Sequence, residues 1–127
     1  MSIETGVMTR ILVIDDQSLW CEEIVDILIY DGYEAQGALD GLTGMALAIE
    51  YQPDLILCDD ILPRLDGYGV LKELRATPST QHIRFIIMSV CAHQQERAKA
   101  SGANGYVTKP FTHKSLLGAI QACLNDR

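Results

Sequence analysis

Residues 11–16 read ILVIDD, an apolar run that stops on two neighbouring carboxylates, and residues 55–60 repeat the arrangement as LILCDD. A short unbroken apolar run is typical of a strand covered on both faces, the way parallel sheets are buried. Such a strand delivers whatever follows it to one edge of the sheet. Two further runs end the same way: FIIMS closes on Ser89, and GYVTKP closes on Lys109 and Pro110. Carboxylates, a hydroxyl and one ammonium therefore recur at strand ends, and in an open α/β sheet functional groups collect there, where the connecting loops leave a crevice.

Between these runs the apolar spacing switches to a helical period. Ser18 is read as the cap of a helix over LWCEEIVDILIY, with Trp20, Ile24, Ile27 and Leu28 at helical spacing and DGY at 31–33 as its stop. Tyr33–Ala38 reads as a weaker strand. Gly41–Tyr51 reads as a second helix with Leu42, Met45, Ala46 and Ile49 on one face, broken at Gln52 and Pro53. Leu55–Cys58 is the third strand, Tyr68–Arg75 the third helix and Phe85–Met88 the fourth strand. Ala92–Ala100 is a short polar helix closed by Gly102, Gly105–Thr108 the fifth strand and Lys114–Leu124 the last helix. This alternation predicts one parallel sheet with right-handed crossovers and helices on both faces. Residues 1–10 are a lead and residues 11–127 the domain.

A chain of 127 residues, 48% hydrophobic, supports one good core but not two domains. Seventeen acids against ten bases give a formal charge of −7, which argues against nucleic acid or an anionic membrane as main partner, since phosphate binding needs Lys and Arg. Cys21, Cys58, Cys91 and Cys123 form no CxxC pair, so finger-type metal sites and redox motifs fail and free thiols are expected. No apolar stretch reaches the roughly 20 residues of a membrane span, and MSIETGVMTR lacks the apolar centre of a signal peptide. A cytoplasmic protein is expected.

Several carboxylates beside a single lysine repel one another, and the cluster makes more physical sense around a hard divalent cation. Mg²⁺ takes oxygen ligands in a small octahedral shell, and it commonly pairs one or two carboxylates with phosphate oxygens; Mn²⁺ is the alternative. A phosphoryl ligand is implied. A carboxylate with a reference pKa of about 4 is ionised at neutral pH and attacks phosphorus without a general base, provided its charge is neutralised. Cation, lysine and hydroxyl can supply that to the peripheral oxygens during transfer.

These features resemble the receiver domains of two-component response regulators, the CheY-like superfamily, over essentially the whole chain. The resemblance rests on Asp15 and Asp16, on DxxxPxxDG from Asp59 through Pro63 to Asp66 and Gly67, on Ser89, and on GYVTKPF at 105–111. It implies a flavodoxin-like (βα)5 fold with strand order 2-1-3-4-5. It further implies Asp59 as phosphoacceptor, Asp16 as a direct Mg²⁺ ligand, Asp15 as a ligand directly or through water, and the Ile61 backbone carbonyl completing the set. Lys109 would pair with the phosphoryl group beside a cis bond to Pro110. Ser89 would hydrogen-bond a phosphoryl oxygen, and Tyr106 would be the aromatic that changes rotamer with it. The donor would be a phosphohistidine on a sensor kinase or phosphotransfer protein. The output would be a repositioned face formed by the fourth helix, fifth strand and fifth helix, which could also support a phosphorylation-dependent homodimer.

Some residues depart from the family pattern. Val90 stands where the family usually has Ala or Gly and narrows access, while Ile61 and Cys91 are poor at orienting an attacking water, so slow self-dephosphorylation is expected. No output segment follows the last helix, so the chain is expected to act as a relay shuttle or direct regulator, or to be a receiver module excised from a longer protein. It is expected not to be an enzyme acting on a small substrate. The enzyme alternative, a haloacid-dehalogenase-type phosphatase, needs an acid where Ile61 stands. A flavodoxin-like flavin carrier would find its phosphate repelled by Asp15 and Asp16, and a P-loop motif is absent.

Several of these residues also have plainer roles open to them. Asp15 and Asp16 could merely cap the first helix, which is worth about 0.3–1 kcal/mol, and Ser89, Lys109 and Tyr106 could be ordinary strand residues. Asp60 is read as a solvated acid, because neighbouring side chains on extended backbone point to opposite faces. Cys58 is read as a core thiol, Trp20 as cover for the core, and His82, His93 and His113 as surface histidines.

Overall fold

A computed structural model describes residues 8–125. Residues 1–7 of the expected lead, and Asp126 and Arg127, lie outside the described residues, and Arg10 already belongs to the first strand. The strands are β1 (Arg10–Ile14), β2 (Glu34–Ala38), β3 (Leu55–Asp59), β4 (Arg84–Ser89) and β5 (Gly105–Thr108). They form one parallel sheet in the order β2-β1-β3-β4-β5. Central strands carry the apolar runs: β3 is buried throughout, whereas in edge strand β2 (EAQGA) only Ala38 is buried. The helices are α1 (Ser18–Tyr30), α2 (Gly41–Tyr51), α3 (Gly67–Ala76), α4 (Gln95–Ala100) and α5 (His113–Asn125).

Period-two alternation along the strands divides the core in two. Leu12, Ile14, Ile56, Cys58, Phe85 and Ile87 pack with α2, α3 and α4 through residues such as Ala48, Leu71 and Ala98. Ile11, Val13, Leu55, Leu57, Ile86, Met88 and Val107 pack with α1 and α5 through Ile24, Leu28, Leu116 and Ile120.

Three local expectations are corrected. Ser18 is the first residue of α1, and its cap position is Gln17, which makes no side-chain cap; the side chain that serves this end is Asp15, accepting from Gln17 N at 2.9 Å. In α2 the residues expected on the inner face are not the buried ones: Leu42 and Ile49 are exposed, and Gly41, Gly44 and Ala48 are buried. The small residues let the helix approach so closely that a Cβ on Gly41 would lie 1.8 Å from the Leu65 carbonyl oxygen and one on Gly44 2.4 Å from Ile14. Finally, α4 starts at Gln95, because Ala92–Gln94 belong to the loop leaving β4.

Caps fix the loops that carry the site. Asp40 accepts from Thr43 N at 2.8 Å ahead of α2, and Asp66 accepts from Gly69 N at 2.8 Å ahead of α3. Thr112 and Ser115 cap α5 reciprocally, each side-chain oxygen accepting from the other's backbone N–H at 3.0 Å.

Candidate acidic site at the carboxyl edge of the sheet

Asp15 follows β1 and Asp59 ends β3, on adjacent strands, and each shares its face with the α1/α5 half of the core. Asp15 is fully buried and Asp59 nearly so, while Asp16 is exposed. One carboxylate oxygen from each of Asp15, Asp16 and Asp59 lies within 4.8 Å of the others. Lys109, just past β5, reaches across: its Nζ forms an ion pair with Asp59 Oδ1 and lies 3.5 Å from Asp15 Oδ2. The Lys109–Pro110 peptide bond is cis.

The site is short of positive charge. Burial pushes the Asp59 carboxyl up to about 7; the Lys109 ammonium opposes this and the Asp15 charge adds to it. Burial pulls Lys109 down, but the two carboxylates beside it win and raise it above its ordinary value. Apart from the ion pair, Asp59 Oδ1 accepts no aligned hydrogen bond among the described residues. Three carboxylates facing one ammonium, two of them out of water, suit a hard cation that prefers oxygen donors. Ligand oxygens about 2.1 Å from such an ion lie roughly 3–4 Å apart, so the observed spread needs only small adjustment. Ile61, whose carbonyl was expected to join the ligands, is 75% exposed, as is Val90.

The loop from β3 to α3 is built to hold Asp59. Gly67 N donates to the Asp60 carbonyl at 2.9 Å, and a Cβ at Gly67 would lie 2.1 Å from the Asp59 carbonyl oxygen. Arg64 takes a left-handed conformation at φ 71° and its guanidinium lies 3.3 Å from Asp40, joining this loop to the start of α2.

Ser89 is at the sheet edge as expected, at the end of β4. The Ser89 hydroxyl donates to Asp60 Oδ2 at 2.7 Å and accepts from Cys91 N at 3.0 Å. Asp60 is therefore half-buried and engaged, which corrects the expectation of a solvated acid. The register pairs Asp59 with Met88, so the next residues along, Asp60 and Ser89, face each other on the other side of the sheet. Tyr106, opposite Ile87 on that side, donates its hydroxyl to the Cys91 carbonyl and packs on the α2/α3/α4 half of the core. Cys58 is a fully buried thiol whose ionisation burial strongly opposes, His82, His93 and His113 are exposed, and Trp20 packs on Phe111 with ring centroids 5.6 Å apart.

The Response regulator receiver domain pattern matches residues 11–121. The chain is 38% identical over 119 residues to the DNA-binding dual master transcriptional regulator RpaA of Synechocystis, covering 92% of this chain and 49% of RpaA. It is 32% identical to protein PilH of Pseudomonas aeruginosa over 92% of this chain and 98% of PilH. It thus spans about half the length of RpaA and nearly all of PilH. Among solved structures, the receiver domain of the Pseudomonas aeruginosa sensor histidine kinase PA1611, described with magnesium in its active-site cleft, superposes with a TM-score of 0.84. That match is at 27% identity over 94% of this chain and all of the other. With five parallel strands in the order 2-1-3-4-5 and a family match over residues 11–121, the chain belongs to the response regulator receiver domains of two-component systems.

Proposed function

We propose that this receiver accepts a phosphoryl group on Asp59 from a phosphohistidine of a sensor kinase or phosphotransfer protein, and that the modification alters the face formed by α4, β5 and α5. The observation that carries this reading is the meeting of Asp15, Asp16 and Asp59 with Lys109 at one sheet edge. An Asp59 carboxylate oxygen attacks phosphorus, the phosphorus–nitrogen bond to the donor imidazole breaks, and the imidazole keeps the electron pair and takes up a proton. Asp15, Asp16 and Asp59, with the Ile61 carbonyl, would hold Mg²⁺, which neutralises phosphoryl charge when bound. Lys109 is within reach of the same oxygens and offsets the charge that shifts onto them. The domain acts by changing what it binds rather than by turning over a small substrate. The exposed apolar Ile61 leaves no polar group there to orient water, in keeping with a long-lived phosphoryl group.

Incubation with Mg²⁺ and acetyl phosphate, followed by intact mass measurement, tests this. One added phosphoryl mass is expected in the wild type, none in Asp59→Asn and none without divalent cation. Labelling that persists in Asp59→Asn overturns the assignment.

A further inference from the structure

We infer that Asp60 is a positioning residue that holds the Ser89 hydroxyl away from the phosphoryl site, so that phosphorylation of this receiver has to break an Asp60–Ser89 hydrogen bond. The inference rests on the reading of Asp59 as phosphoacceptor and of Ser89 as a hydrogen-bond donor to its phosphoryl oxygen. A serine hydroxyl has one proton to donate. In this protein it goes to Asp60 Oδ2 at 2.7 Å, the short distance of a bond to a charged acceptor, while the oxygen accepts from Cys91 N at 3.0 Å. The hydroxyl cannot also donate to an oxygen on Asp59, which sits on the opposite face of the strand.

Asp60 is well placed to compete. Its N–H donates to the Met88 carbonyl at 3.0 Å and its carbonyl accepts from Gly67 N at 2.9 Å, so its backbone is fixed between β4 and the start of α3. The side chain is half-buried and directed at Ser89 by register rather than by chance rotamer. The contact also reaches the loop after β4. Ser89 Oγ holds the Cys91 N–H, and the Tyr106 hydroxyl holds the Cys91 carbonyl. Asp60, Ser89, Cys91 and Tyr106 thus form one hydrogen-bonded chain, and release of Ser89 from Asp60 frees its near end. The latch favours the unmodified arrangement and sets a threshold for the modified one.

Beryllofluoride, which mimics a phosphoryl group on an aspartate, tests this by calorimetric titration in Mg²⁺. The proteins compared are wild type, Asp60→Ala, Asp60→Asn, Ser89→Ala and the Asp60→Ala/Ser89→Ala double variant. Removing a charge beside the site can tighten binding of an anion by itself, and that effect is common to both Ser89 backgrounds. The latch predicts a further gain of about tenfold from Asp60→Ala only where Ser89 is present, the size expected for one charge-assisted hydrogen bond. Asp60→Asn, which keeps an uncharged acceptor, gives a smaller gain. An equal gain in both backgrounds, or none, overturns the latch while leaving the Asp59 assignment standing. Failure of all five proteins to bind overturns both.

Discussion

Asp59 is held between opposed influences, and the balance has a measurable consequence. Burial lifts its carboxyl from an ordinary 3.8 to about 7, with Lys109 opposing and Asp15 assisting. A group whose folded-state pKa lies above its unfolded value contributes stability that is full below the unfolded value and is lost as pH rises through the folded one. The metal-free domain therefore loses stability on account of this group as pH rises from about 4 through about 7, by on the order of a few kcal/mol. Urea denaturation in chelator at pH 5 and pH 8 checks this: the wild type falls by more than Asp59→Asn, every other titrating group being common to both. An equal fall in the two proteins contradicts it. Since bound cation needs the ionised carboxylate, apparent Mg²⁺ affinity rises across the same range.

At the scale of elements, the close approach of α3 to the end of β3 positions Asp59. Gly67→Ala places a Cβ 2.1 Å from the Asp59 carbonyl oxygen, and backbone has to move to admit it. A loss of about 1–3 kcal/mol is expected, together with weakened beryllofluoride binding. Gly118→Ala is the contrast, since nothing lies within 4 Å of its Cβ on α5, and it should gain about 0.5–1 kcal/mol. Urea denaturation separates the two, and equal effects would contradict the packing argument. β1, β3 and β4 were legible because apolar runs of this kind have few other uses, and Asp15, Asp59, Ser89 and Lys109 were legible as strand endings; edge strand β2 (EAQGA) carries no such run. The buried face of α2 was not, because it is made of Gly41, Gly44 and Ala48, which carry no hydropathy signal, while Leu42 and Ile49 point outward. The start of α4 was equally hidden, as Ala92–Gln94 have helical composition but no apolar face to dock.

For the whole molecule, strand alternation sorts the functional groups into two sets. Asp15, Asp59 and Lys109 gather with the α1/α5 half of the core, and Asp60, Ser89 and Tyr106 with the α2/α3/α4 half. The alternation that removes Asp60 from Asp59 is readable from residue numbers; that it delivers Asp60 to Ser89 needs the β3–β4 register, which only the assembled sheet supplies. On the proposed function, phosphoryl chemistry belongs to the first set and its readout to the second, with two adjacent aspartates forming the boundary. Which of those aspartates takes the phosphoryl group is the central question, and chemical trapping answers it. After Mg²⁺ and acetyl phosphate, borohydride reduces an acyl phosphate to the corresponding alcohol, and peptide mass spectrometry locates the changed residue. Reduction at position 59, with position 60 intact, is the predicted result; reduction at position 60, 15 or 16 would contradict the account.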